Sequence, residues 1–308
     1  MSQRSPARRA LGALAAVAAV MLSLGAAAAQ LTYKTPAEAF SALIAAARSD
    51  DTKALISVLG PEGESFVVSD DPVADRQALL RFVTAYDKAN RIELQGKSKA
   101  TLVVGEEEWP FPVPAVRQGN VWHLDSAAGK EEILDRRIGR DELAVIEVCR
   151  AYVDAQREYA SMDRNNDGYI EYAQKFASSP GKHDGLYWPV AAGEEESPLG
   201  PLVADAQAAG YALGKTPENP APYYGYYYRI LTGQGPHAPG GAYDYIVNGH
   251  MIGGFGLVAF PAQYGVTGIM TFIVNHDGVV YQKDLGPDTT NIAEKMKLFD
   301  PSSGWTKQ

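Results

Sequence analysis

Residues 141–174 read "DELAVIEVCRAYVDAQREYASMDRNNDGYIEYAQ", a helical pattern that runs straight into an acidic, asparagine-rich turn. Leu143, Ile146, Cys149 and Val153 fall on one helical stripe, which predicts a long helix from about Asp141 to Met162 with an apolar face in a core. The turn that follows carries oxygen-bearing side chains at alternate positions. In a twelve-residue EF-hand calcium loop, ligands come from positions one, three, five, seven, nine and twelve, and a glycine at six permits the bend. Here those positions hold Asp163, Asn165, Asp167, Tyr169, Glu171 and Gln174, with Gly168 at the bend. Tyr169 would offer its carbonyl, and Ile170 would pin the loop to the core. Gln174 is the departure, because one neutral oxygen stands where a bidentate glutamate normally closes the shell. Direct binding by Glu171, or Asp184 folding back from "GKHDG", would compensate. A single loop points to a structural calcium ion, since sensor loops come in pairs. The competing reading is a polar turn that only caps a following helix, for "NNDG" turns well without an ion.

Upstream, the signals are helical and then extended. Thr35, Pro36 and Glu38 form a capping box before apolar residues at helical spacing, and "DTKALISVLG" and "DRQALLRFVTAYDKA" predict two more helices. "RIELQG", "KATLVVG", "WPFPVPAVRQ" and "NVWHLDS" predict strands divided by glycine turns. Downstream, residues 178–240 are rich in Gly, Pro, Ser and Tyr, with one helical stretch in "PLVADAQAAGYALG". The chain closes on strands in "YYGYYYRIL", "GGFGLVAFPA", "VTGIMTFIVN" and "GVVYQKDLG", the last two joined by a tight turn at His276 and Asp277, and then a short helix in "TTNIAEKMKLF". In the tyrosine run, alternation would set Tyr224, Tyr226 and Tyr228 on one face and Tyr223, Tyr227 and Arg229 on the other. The expected class is α+β: a helix-rich N-terminal part with a curved antiparallel sheet, a long helix into an EF-hand-like loop, and a β-rich C-terminal part.

The first residues are of another kind. Arg4, Arg8 and Arg9 precede the apolar run Leu11–Ala29, which ends in small residues, the pattern of a secretory signal peptide cleaved after Ala29. The expected organisation is a signal peptide over 1–29, an N-terminal α+β domain over 30–140, and a helix, calcium-like loop and β-rich domain over 141–308. That makes the mature protein periplasmic, with no transmembrane segment once the signal is removed. Cys149 is the only cysteine, so no internal disulfide can form, and its place on the helical stripe marks it as core. The formal charge is −9, from 28 basic and 37 acidic residues; without the leader's three arginines, 25 face 37, a net −12. A chain so acidic is not built for nucleic acid.

The segments "SSPGKHDGLYWP", "YYGYYYRILTGQG", "GGFGLVAFPAQYGVTG" and "FIVNHDGVVYQKDLG" follow the loop in that order. On these, nearly the whole mature chain resembles the bacterial family called domain of unknown function 2950. The resemblance implies an exported protein and supplies no activity or catalytic residues. None of the five histidines, His123, His183, His237, His250 and His276, forms a zinc cluster by local spacing, and no nucleophile elbow, phosphate loop or dinucleotide fingerprint is present. No catalytic residue and no organic cofactor is therefore assigned. The expected function is a non-enzymatic binding or assembly protein with a structural calcium site, its partner an envelope protein or glycan. The alternative is a periplasmic hydrolase acting through His183 or His250, which both lie in glycine-flanked irregular segments.

Overall fold

The structure is a computed structural model describing residues 30–191, 193–212 and 221–308; the leader expected over residues 1–29 lies outside the described residues. Helix α1 (Pro36–Arg48) starts at the expected cap: Thr35 Oγ1 accepts the Glu38 N–H at 3.2 Å, and Glu38 Oε2 accepts the Lys34 N–H at 3.0 Å. Helix α2 (Thr52–Leu59) stops at Gly60, whose φ of 81° suits glycine. Pro61 then opens an unexpected helix, α3 (Pro61–Val67), before α4 (Pro72–Lys88). Strands β1 (Asn90–Gln95), β2 (Lys99–Val104), β3 (Trp109–Pro110), β4 (Ala115–Gln118) and β5 (Val121–Leu124) form an antiparallel sheet in the order β1-β2-β4-β5, with β3 also on β2. Phe40, Leu43, Leu55, Leu59 and Phe66 from the helices meet Leu102, Val104 and Leu124 from the sheet in the N-terminal core.

Helix α5 (Ser126–Tyr159) begins well before Asp141, capped by Asp125, whose carboxylate accepts the Ala128 N–H at 3.2 Å. Its first half packs Ile133 and Leu134 on the N-terminal core, and its second half drives Val145, Ile146, Cys149, Tyr152 and Val153 into the C-terminal core. The helix is continuous across residue 140. Leu143, expected on the buried stripe, is 67% exposed; the stripe passes through Val145 instead.

Beyond α5 come α6 (Gly200–Ala208) and strands β6 (Tyr226–Leu231), β7 (Gly233–Gln234), β8 (Tyr243–Asp244), β9 (Ile246–Val247), β10 (His250–Met251), β11 (Gly256–Pro261), β12 (Met270–Asn275) and β13 (Tyr281–Asp284), then α7 (Thr289–Lys295), β14 (Leu298–Phe299) and β15 (Thr306–Lys307). The principal sheet is antiparallel in the order β15-β13-β12-β11-β6. Strand β11 is buried at every residue, because Leu257 and Ala259 join the core against α5 while Val258 and Phe260 pack on the opposite face with Ala293 and Phe299. The tyrosine alternation holds from Tyr226 onward: Tyr226 and Tyr228 face the α5 side, whereas Tyr227 packs on Phe260 and Arg229 donates to carbonyls at the end of α7. Tyr224 does not join the row, for at φ 51° it lies in a turn closed by a bridge between Tyr223 and Tyr226. The architecture is α+β. Among the described residues no helix is long and apolar enough to cross a membrane.

Candidate functional site

The residues singled out in the loop follow directly on the C-terminus of α5. Asp163 accepts the backbone N–H of Asp167 at 3.3 Å and of Gly168 at 2.9 Å, folding the chain around its carboxylate. Asn166 at φ 58° and Gly168 at φ 90° provide the left-handed turns that this requires. Asn165 Nδ2 donates to Asp167 Oδ2 at 2.7 Å and to Glu171 Oε1 at 2.8 Å. Glu171 is buried, and its other oxygen accepts the Met251 N–H at 3.1 Å. Through that bond the loop is tied to β10.

His250 lies on the same strand. Its Nδ1 is 3.3 Å from Glu171 Oε2 and 3.5 Å from Asp167 Oδ2, and its ring stacks on Tyr169 with centroids 3.9 Å apart. One ligand atom each from Asp167, Glu171 and His250 lie within 4.8 Å of one another, close enough for one metal ion. Against the effect of burial, hydrogen bonds from the Tyr169 N–H and the Asn165 amide, with His250 nearby, hold the Asp167 carboxyl below its ordinary value. The structure thus gathers Asp163, Asn165, Asp167, Tyr169 and Glu171 and adds His250. It directs Gln174 elsewhere, its Nε2 donating to the Gly249 carbonyl at 2.7 Å.

Other expectations around the loop fare differently. Ile170 is 63% exposed and pins nothing to a core. No helix leaves the loop; the next one is α6. Asp184 does not reach back, because it is held by Lys175 Nζ at 2.7 Å and by the Ser179 N–H at 2.7 Å. His183 stacks on Trp188 at 4.2 Å, a ring whose centroid also lies 5.9 Å from the Arg164 guanidinium. Arg164 itself is buried and pairs with Glu195 at 2.9 Å, fastening the loop to the segment that carries Trp188. Cys149 is fully buried, and burial pushes its thiol up to about 12, so it is a packing residue.

Its flanking glycines singled out His250 in the sequence without associating it with the loop, and the segment expected to be irregular there is strand β10. Glu171 and Met251 are 80 residues apart, and only the short β9–β10 ribbon brings that strand beside the turn. No curated protein and no solved structure matches the chain. A family model described as "Protein of unknown function (DUF2950)" matches residues 30–308, almost the whole chain, and the protein belongs to that family.

Proposed function

We propose that the protein is an exported, non-enzymatic binding or assembly protein of the cell envelope, with a structural calcium ion held by residues 163–171. The leader-like residues 1–29 support export. One observation carries the ion: the carboxylates of Asp167 and Glu171 converge, both accepting from the Asn165 amide and both within 3.5 Å of His250 Nδ1, where a cation would neutralise them. With the Asn165 amide turned over, its oxygen joins those of Asp163, Asp167 and Glu171 and the Tyr169 carbonyl, a set of hard oxygens suited to calcium. Affinity falls in the weak range of extracellular modules, about 10⁻⁴ to 10⁻³ M, because no bidentate carboxylate closes the shell.

The non-enzymatic reading is favoured over a hydrolase by how the two histidines are engaged. His183 lies flat on Trp188, and His250 faces two carboxylates under the Tyr169 ring. Calorimetry and thermal melts with calcium or chelator test the ion. Binding at about ten times the dissociation constant stabilises the fold by about 1.4 kcal/mol, and Asp163→Ala removes that increment. A protein that neither binds nor shifts at millimolar calcium would reduce the loop to a hydrogen-bonded turn. Intact mass of the exported protein tests localisation, with Gln30 expected at its N-terminus.

A further inference from the structure

Helix α4 is seventeen residues long and has no fully buried residue, although Leu79, Phe82, Val83 and Tyr86 touch the N-terminal core. It stands off that core and leaves a cavity of about 420 Å³ between itself, the sheet and α5. The cavity is open to solvent on one side, and its volume falls in the range of ligand sites. The walls are apolar, formed by Leu43, Leu59, Phe66, Phe82, Trp109 and Phe111.

The polar lining has one dominant sign. Four arginines, Arg81 from α4 and Arg136, Arg137 and Arg140 from α5, face two acids, Asp75 and Glu107, in a protein of net charge −9. Arg137 has only 8% of its side chain exposed and pairs with Asp75 at 3.1 Å, and its Nη2 donates to the Phe66 carbonyl at 2.6 Å. Its Nη1 has no hydrogen-bond partner, nor has the buried Trp109 Nε1 on the same cavity. Buried donors are normally satisfied, so two unpartnered ones on residues that line one cavity stand out, although both atoms are shut off from solvent. Arg136 is held over the Trp109 ring, 5.0 Å from its centroid, and by Glu132. Arg140 pairs with Asp141, and Arg81 makes no ion pair among the described residues. Burial and the neighbouring Arg140 push the Arg81 guanidinium below its ordinary value, with Asp141 opposing.

We infer that this cavity binds a single-chain anionic amphiphile of the medium-chain carboxylate class. The hydrocarbon chain lies among the leucines and aromatic rings beneath α4, and the carboxylate meets Arg81 and Arg140 at the mouth, with the buried Arg137 below them. Guanidinium geometry suits a carboxylate's two oxygens. The inference gives the binding reading a ligand class and does not depend on the loop's cation.

Calorimetry of the purified protein with decanoate, kept below its micellar concentration, tests it. Decanoate should bind one to one, with decanol at least about tenfold weaker for want of the charge-assisted bonds, and decyltrimethylammonium not at all. Binding should change the fluorescence of Trp109, a change lost in Trp109→Phe. Arg137→Met removes a partner of Asp75 and Phe66 and can unfold the domain, so the deciding variants are Arg81→Met with Arg140→Met, expected to weaken decanoate about tenfold, and Ala78→Phe, which fills the cavity and should abolish binding. Each variant's melting temperature and calcium-induced shift serve as controls, so that failure of the loop reading and failure of this one are told apart. No decanoate binding at millimolar concentration, equal binding of decanol, or unchanged binding to folded Ala78→Phe would overturn the assignment.

Discussion

Asp141→Asn should make the protein more stable at pH 8 and flatten its stability between pH 5 and 8. Asp141 lies on α5 where the two main cores meet, with 2% of its side chain exposed. Arg140 approaches one oxygen at 3.4 Å, while the other has no hydrogen-bond partner. A Cβ on Gly225 would come within 3.3 Å of that oxygen, so the chain of the C-terminal part passes close above it. Burial pushes the carboxyl up from 3.8 to about 7, with Arg140 and Arg137 opposing and Asp71 adding to the rise. The folded state therefore holds this proton at pH values where the unfolded chain has released it. Its contribution is full below about pH 4 and is lost as pH rises through 7. At 1.36 kcal/mol per pKa unit the gap is worth about 4 kcal/mol, of which about 2.5 falls between pH 5 and 8. Asn keeps the shape and carries no charge at any of these pH values. Urea unfolding of both proteins at pH 5, 6, 7 and 8 reads the difference directly and subtracts every other titrating group. The depressed carboxyl of Asp184 does not intrude: against burial, hydrogen bonds from Lys175 and Ser179 bring it to about 2, and its effect lies below pH 4. Equal stability of the two proteins at pH 8 would refute the reasoning.

Three further outcomes are expected. Gln156 is fully buried, donates to the Ala173 carbonyl at 2.8 Å and accepts the Ala173 N–H at 2.8 Å, so Gln156→Leu should cost about 2–4 kcal/mol in urea unfolding and weaken calcium binding by loosening the loop's exit. Cys149→Ala should cost stability through the cavity left and Cys149→Ser more, because its hydroxyl would lie in a dry core; the native thiol should react with a disulfide reagent only on unfolding. Gln174→Glu loses the bond to the Gly249 carbonyl, because a carboxylate cannot donate, but it should leave the calcium-induced rise in melting temperature unchanged, since the extended chain after Glu171 carries position twelve away from the loop; a larger rise would mean that the carboxylate swings into the shell.

The sequence is most legible where periodicity and capping agree. The Thr35 cap, strands β1, β2, β5, β6, β11, β12 and β13 and the closing helix α7 stand where their patterns put them, whereas "WPFPVPAVRQ" divides into β3 and β4 and β15 was not expected. Helix α3 was hidden because "PEGESFV" contains a glycine and follows a glycine-proline break; there Gly63 packs so closely on Leu59 that a Cβ would come within 2.4 Å of the leucine's own. The first half of α5 was hidden by its charge: "GKEEILDRRIGR" shows little apolar stripe, because Arg137 is one of the residues it buries, through Asp75 and the Phe66 carbonyl. Local spacing identified the loop's own carboxylates. It could not bring in His250, which depends on a tertiary ribbon, nor reveal that arginines from two helices converge on one cavity.

The missing exit helix and the diverted Gln174 have a common cause. After Glu171 the chain commits its backbone groups to three other segments: the Tyr172 N–H to the Met251 carbonyl, Ala173 to the Gln156 side chain, and the Lys175, Phe176 and Ser178 positions to residues 186 and 187. A helix would need those same groups for its own turns. The extended strap therefore carries position twelve away from the loop, toward Gly249, and leaves the open side of the carboxylate cluster facing β10. On that side lie the His250 ring and the Asn165 amide, and a bound calcium ion would have to displace the amide's donor from Glu171. On the proposed reading, weak affinity thus follows from the fold as well as from the missing glutamate. On the same reading, binding would be coupled to the β9–β10 ribbon, because Glu171 could not turn toward an ion without disturbing its bond to the Met251 N–H.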